Sequence, residues 1–103
     1  MPKVHIEGWL NSDNSWTYFQ TARTKNNHGN IIFNPDNLPN GGLGMSLRND
    51  KNGKQFAGPT WWDWYDYSEG TVATDVLPGT RFTIIARRRS TGKDRYFSGD
   101  LYY

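Results

Sequence analysis

The chain has no cysteine, so it can form no disulfide, thiolate nucleophile or cysteine-bound zinc site. Aliphatic residues are scarce. Leu, Ile, Val and Phe together make up about 18% of the 103 residues, a level at which disorder has to be considered. An excess of one charge is also missing: 12 Lys+Arg stand against 10 Asp+Glu, for a formal net charge of +2. That balance argues against a disordered polyelectrolyte. Although the sequence pI is about 9.0, it allows only weak long-range attraction to nucleic acid or membrane. No apolar run approaches the ~20 residues that a membrane-spanning helix needs. Long helical periodicity is absent too, because ten Asn, eleven Gly and five Pro interrupt the chain.

Rings are abundant: five Trp, six Tyr and five Phe. With so few aliphatics, the expected core is aromatic. Length points to one domain spanning residues 1–103. The breakers leave segments of strand length, and several of these alternate. Val4 and Ile6 oppose His5, Glu7 and Trp9. Trp16 and Tyr18 oppose Thr17 and Phe19. Phe82, Ile84 and Ala86 oppose Arg81, Thr83, Ile85, Arg87 and Arg89. Asn52-Gly53 marks a hairpin turn, and Pro78-Gly79 a type II turn. Residues 34–44 read as a loop with two prolines, and 91–93 as a turn. Gly99 suggests a β-bulge. The pattern predicts an all-β fold: a small antiparallel β-sandwich or barrel of about seven to nine short strands without disulfides. The segment from Gly79 to Tyr102 resembles the terminal β-hairpin of many small bacterial β-sandwiches, a likeness of fold that implies no activity.

Two constellations could carry chemistry. The first is Trp61-Trp62-Asp63-Trp64-Tyr65-Asp66-Tyr67, five rings and two carboxylates in seven residues. Read as a strand, either face carries rings beside a carboxylate. Ring faces stack on the C–H face of a pyranose, and carboxylates accept hydrogen bonds from its hydroxyls. Residues 34–44 would supply a second wall. The competing reading places the rings in the core, but Asp63 and Asp66 could not follow them there without partners. The second constellation is basic: Arg81, Arg87 and Arg89 share a face of one strand, with Lys93 and Arg95 nearby. That face could hold phosphate or an acidic glycan, or simply be a solvated edge. Arg88 points the other way and should cap the core, pairing with Asp94 or Asp100.

Other chemistry finds little support. His5 and His28 are the only histidines, so no zinc site of ordinary composition can be built. Asp63 with Asp66, or Asp36 with Asn34 and Asn37, could offer oxygens to calcium, but neither matches the 12-residue calcium loop. Turn capping is the expected use of these side chains. No metal or cofactor is expected. Gly41-Gly42-Leu43-Gly44 lacks the lysine of a phosphate-binding loop. No nucleophile elbow is present. Glu7, Asp63, Asp66 and Glu69 could pair to hydrolyse a glycoside, but only Asp63 and Asp66 are framed by rings, and a cleft deep enough to exclude water is hard to build in 103 residues. The sequence therefore points to a non-catalytic binding protein, a small carbohydrate-binding module or lectin. The alternative is a secreted toxin, membrane-surface binder or protease inhibitor using rings and Arg. Glycan is the expected partner, before an anionic membrane or a protein. Nucleic acid is disfavoured by the acidic ring cluster, and an oligomer is allowed. Secretion is the expected location, with the cytoplasm as the other option.

Overall fold

The computed structural model describes residues 2–90 and 94–103, and for residues 20–22 the backbone path alone. Among the described residues there are eight strands: β1 (Lys3–Trp9), β2 (Thr17–Thr24), β3 (Gly29–Asn37), β4 (Leu43–Asn49), β5 (Gln55–Trp62), β6 (Gly70–Val76), β7 (Arg81–Arg88) and β8 (Tyr96–Tyr102). They form two four-stranded antiparallel sheets, ordered β1-β8-β3-β6 and β2-β7-β4-β5. The first strand pairs with the last, the second with the seventh, the third with the sixth and the fourth with the fifth. The chain is thus one long hairpin, rolled so that successive pairs fall in alternate sheets. This is the jelly-roll form of the β-sandwich.

The tip of that hairpin is the β4–β5 turn. Asn49 N donates to Lys54 O and Gly53 N to Asn49 O, both at 2.8 Å. Gly53 takes φ 71°, which a glycine adopts freely. Asn52 keeps negative φ, so the loop is longer than the two-residue turn that Asn-Gly suggested. Pro78-Gly79 turns as expected: Thr80 N reaches Leu77 O and Gly79 has φ 84°. The segment from Gly79 to Tyr102 is not a hairpin. β7 and β8 lie in opposite sheets, because each finds its partners far along the chain. The turn expected at 91–93, and Lys93 with it, falls outside the described residues.

The segment 34–44 is not an open loop. β3 runs on to Asn37, and the crossing chain is buried from Leu38 onward except at Asn40. Gly41 and Gly42 continue the sheet past the end of β7, their carbonyls accepting from Ser90 N and Arg89 N. Gly99 is not bulged against β1, where the register is unbroken. It is a glycine because the Phe33 ring lies over it: a Cβ there would stand 2.4 Å from Phe33 Cζ. The extra residue lies opposite, in β3, between Pro35 and Asn37.

Inward faces follow the alternation. Phe82, Ile84 and Ala86 of β7 meet Leu43, Met45 and Leu47 of β4, and face Ile6, Ile31, Phe33, Phe97 and Leu101 from the other sheet. The core is therefore built mainly from the scarce aliphatics and Phe. Among the described Trp and Tyr residues, Trp62 and Tyr103 are buried. The expectation that Trp and Tyr build the core is corrected. An indole or phenol carries a polar handle that a wholly buried site must satisfy, and Ile, Leu and Phe do not.

Candidate functional site

The strand reading of 61–67 holds only to Trp62, where β5 ends. Trp62 faces inward opposite Leu43, is 2% exposed and packs edge-on to Phe33 at 5.6 Å. Its ring cannot stack on a ligand, so Trp62 leaves the expected binding set. Its indole Nε1 donates to Ser68 O at 2.9 Å, which pins the following loop to the core.

The chain then turns. Asp66 N donates to Asp63 O at 3.0 Å, closing a β-turn whose two central residues are Trp64 and Tyr65. Their rings meet edge-to-face at 5.5 Å and are 58% and 64% exposed. Tyr67 is exposed as well. The two carboxylates brace this turn. Asp63 Oδ1 pairs with Arg89 Nη1 at 2.8 Å. Asp66 Oδ1 accepts from both the amide and the hydroxyl of Ser68. The Ser68 hydroxyl, and after it the Ser68 N–H, holds the Asp66 carboxyl below its ordinary value. One oxygen of each acid thus fixes the turn that displays the rings.

Trp61 points to the other face of β5, opposite Gly44. Its six-membered ring lies over that glycine: a Cβ on Gly44 would stand 2.2 Å from Trp61 Cζ3. On the next strand Arg87 is the partner of Gly44. Its guanidinium sits 5.6 Å from the centroid of a Trp61 ring and 5.9 Å from that of Trp16. Arg87 Nε donates to the Arg88 carbonyl at 3.1 Å. Tyr18 of β2 lies on the same outer face through its pairing with Ile85, and Arg48 stacks over its ring at 5.6 Å. A small cleft of about 100 Å³ opens between Trp16, Tyr18, Arg48, Gln55 and Ile85.

The outer face of the β2-β7-β4-β5 sheet therefore joins the two constellations that the sequence showed separately. β4 is the link, because it separates β7 from β5. Arg87 meets Trp61, and Arg89 meets Asp63. Arg81 does not join them. It stands at the opposite end of β7, where it lines a groove of about 770 Å³ with Arg48, Asp50, Lys51 and Leu77. That groove is larger, but no ring lines it. Arg88 is buried, as expected of a core cap, but the partners found for it are Asn14 Oδ1 at 2.9 Å and the Ser12 carbonyl. Both lie on the β1–β2 connection. Sequence reasoning missed Trp16, Tyr18 and Arg48 as site residues. The alternation put Trp16 and Tyr18 on one face, but only strand pairing shows which face is outward.

Among the described residues, donors that could gather round a divalent cation lie on the other sheet. His5 Nδ1 and carboxylate oxygens of Asp36 and Asp100 all fall within 4.8 Å of one another. Lys3 Nζ already supplies a cation there, 3.5 Å from Asp100 Oδ2. His5, and secondarily Lys3, lowers the Asp100 carboxyl from its ordinary value. No protein-family profile, curated protein or solved structure matches the chain.

Proposed function

We propose that this protein is a non-catalytic glycan-binding module. Its binding surface is the outer face of the β2-β7-β4-β5 sheet together with the 63–67 turn. One observation carries the reading: Trp61, Trp64, Tyr65, Tyr67 and Tyr18 are exposed, while the core is filled by other residues. Contiguous exposed rings mark binding surfaces. A flat ring offers a stacking partner to the C–H face of a sugar, and the polar groups around it read hydroxyls. Trp61 and Trp16 form the platform on the sheet, and Trp64 and Tyr65 stand at its rim. Bracing by Trp62, Asp63 and Asp66 pre-orders the rim, which lowers the entropy lost on binding.

Tryptophan fluorescence and amide chemical shifts, titrated against a panel of oligosaccharides, test this. The expected result is saturable binding in the millimolar range or tighter, with shifts confined to residues near 16–18, 44–48, 61–67 and 85–89. Loss of binding in both Trp61→Ala and Trp64→Ala would support the surface. A folded protein that shows no shift with any glycan would overturn it.

A further inference from the structure

We infer that the glycan is an acidic one, and that Arg87 reads the carboxylate of a uronic acid stacked on Trp61 or Trp16. The inference rests on the glycan reading above and names the substrate class of that same surface.

A guanidinium between the rings can donate to the oxygens of any sugar, but it gains most from a ligand that carries negative charge. Here a cation stands at the centre. Arg87 belongs to an inner strand, and the tryptophans on either side of it come from the edge strands β2 and β5 or the residue before them. Among the described residues Arg87 pairs with no carboxylate. Asp63, on the turn that follows β5, is engaged by Arg89. The single hydrogen bond described for Arg87 uses Nε. Among the described residues neither Nη group makes a hydrogen bond or ion pair, and a guanidinium edge binds a planar carboxylate through two parallel hydrogen bonds. Trp61 and Trp16 both stand within cation–π reach of the guanidinium and limit its freedom, so less side-chain entropy is lost when it engages.

A uronic acid carries both required features on one ring. Its axial C–H groups form an apolar face for the indole, and its carboxylate projects from the ring edge toward a cation beside that indole. A lipid headgroup offers the charge without the stacking face.

The test is calorimetric titration of the full chain with a galacturonate pentamer and with a neutral xylose pentamer, at low salt and at ~1 M salt, where the Debye length falls to about 3 Å. Galacturonate should bind at least about tenfold tighter than xylose at low salt, the worth of one charge-assisted hydrogen-bonded pair. The advantage should shrink at high salt. Arg87→Gln should reduce galacturonate to the affinity of the neutral chain, and Arg87→Lys should retain part of the preference. Near-UV circular dichroism checks that both variants are folded. Neutral binding equal to acidic binding, or a preference untouched by Arg87→Gln, would overturn the inference and leave the glycan reading standing. Binding of neither pentamer, combined with Arg87-dependent co-sedimentation on phosphatidylserine vesicles, would overturn both.

Discussion

Two glycines give a paired experiment that separates the binding face from the core. Gly44 lies under Trp61 and Gly70 under Trp62. An added Cβ would stand 2.2 Å from Trp61 Cζ3 in the first case and 2.4 Å from Trp62 Cζ2 in the second. Neither glycine has φ in the left-handed region, so alanine is conformationally acceptable at both. The clashes are alike, but the escape routes are not. Trp61 is 38% exposed and can swing outward. Doing so would uncover roughly 80 Å² of indole, a loss of about 2 kcal/mol at ~25 cal/mol/Å². Replacing a strand glycine with alanine returns about 0.5–1 kcal/mol. Gly44→Ala should therefore lower stability by only about 1 kcal/mol, or ~4–8 °C in Tm. Trp62 is enclosed, packed on Phe33 and tied to Ser68. Gly70→Ala overpacks a filled core, and the expected loss is about 3 kcal/mol. Urea unfolding measures both. The Gly44 variant should also lose the Arg87–Trp61 stack and weaken glycan binding, with an altered Trp61 indole N–H shift while Trp62 keeps its own. Equal losses of stability, or a Gly44 variant that binds unchanged, would refute the assignment of Trp61 to the surface and Trp62 to the core.

Further expectations concern the supports of that face. Ser68→Ala removes the hydroxyl that contributes most to lowering the Asp66 carboxyl, so that carboxyl should titrate closer to its ordinary value of 3.8, as read by carboxyl carbon NMR. The sign follows from the depressed folded value. The stability that ionised Asp66, Asp13 and Asp100 contribute is complete above their unfolded range and is lost as pH falls through their folded values. Ser68→Ala should therefore weaken the acid dependence of unfolding, and an unchanged Asp66 titration would refute the role given to Ser68. Arg88→Met leaves the Asn14 side chain and the Ser12 carbonyl without their buried donor, at an expected cost of about 2 kcal/mol in urea unfolding. A change below about 0.5 kcal/mol would show that Arg88 does not cap the core. Asp63→Asn breaks an exposed ion pair with Arg89 and should move stability by less than about 1 kcal/mol. The exchange broadening it produces at Trp64 and Tyr65 would measure how far that pair orders the rim.

The fold class was legible because its signals are local. Alternation in residues 3–9 and 81–88 assigned inner and outer faces that the sandwich keeps, and Gly53 and Gly79 turn where expected. What sequence could not supply was pairing. A jelly roll takes nearly all its partners from distant strands, and β4 with β5 is its one local hairpin. Nothing between Arg81 and Tyr102 distinguishes a hairpin from two strands that part into separate sheets. The 61–67 cluster was visible as composition, but its sorting was not. Whether Trp61 or Trp62 faces inward depends on Leu43 being the residue opposite Trp62, which is a fact of register. Trp16 and Arg87 are 71 positions apart in the chain and become neighbours only because β2 pairs with β7.

The same pairing explains why this face suits binding better than stability. The aliphatics are few, and the core has absorbed most of them. Large rings left outside add little to folding, since each remains wetted on one side and gains only part of the burial energy. They also expose apolar surface, which favours association with whatever matches it. On this sheet, however, the rings are not scattered. Gly44 clears a flat berth for Trp61, and Arg87 fills the interval to Trp16. Trp62 anchors the loop that lifts Trp64 and Tyr65 to the rim. Each of these devices positions a ring rather than hiding it.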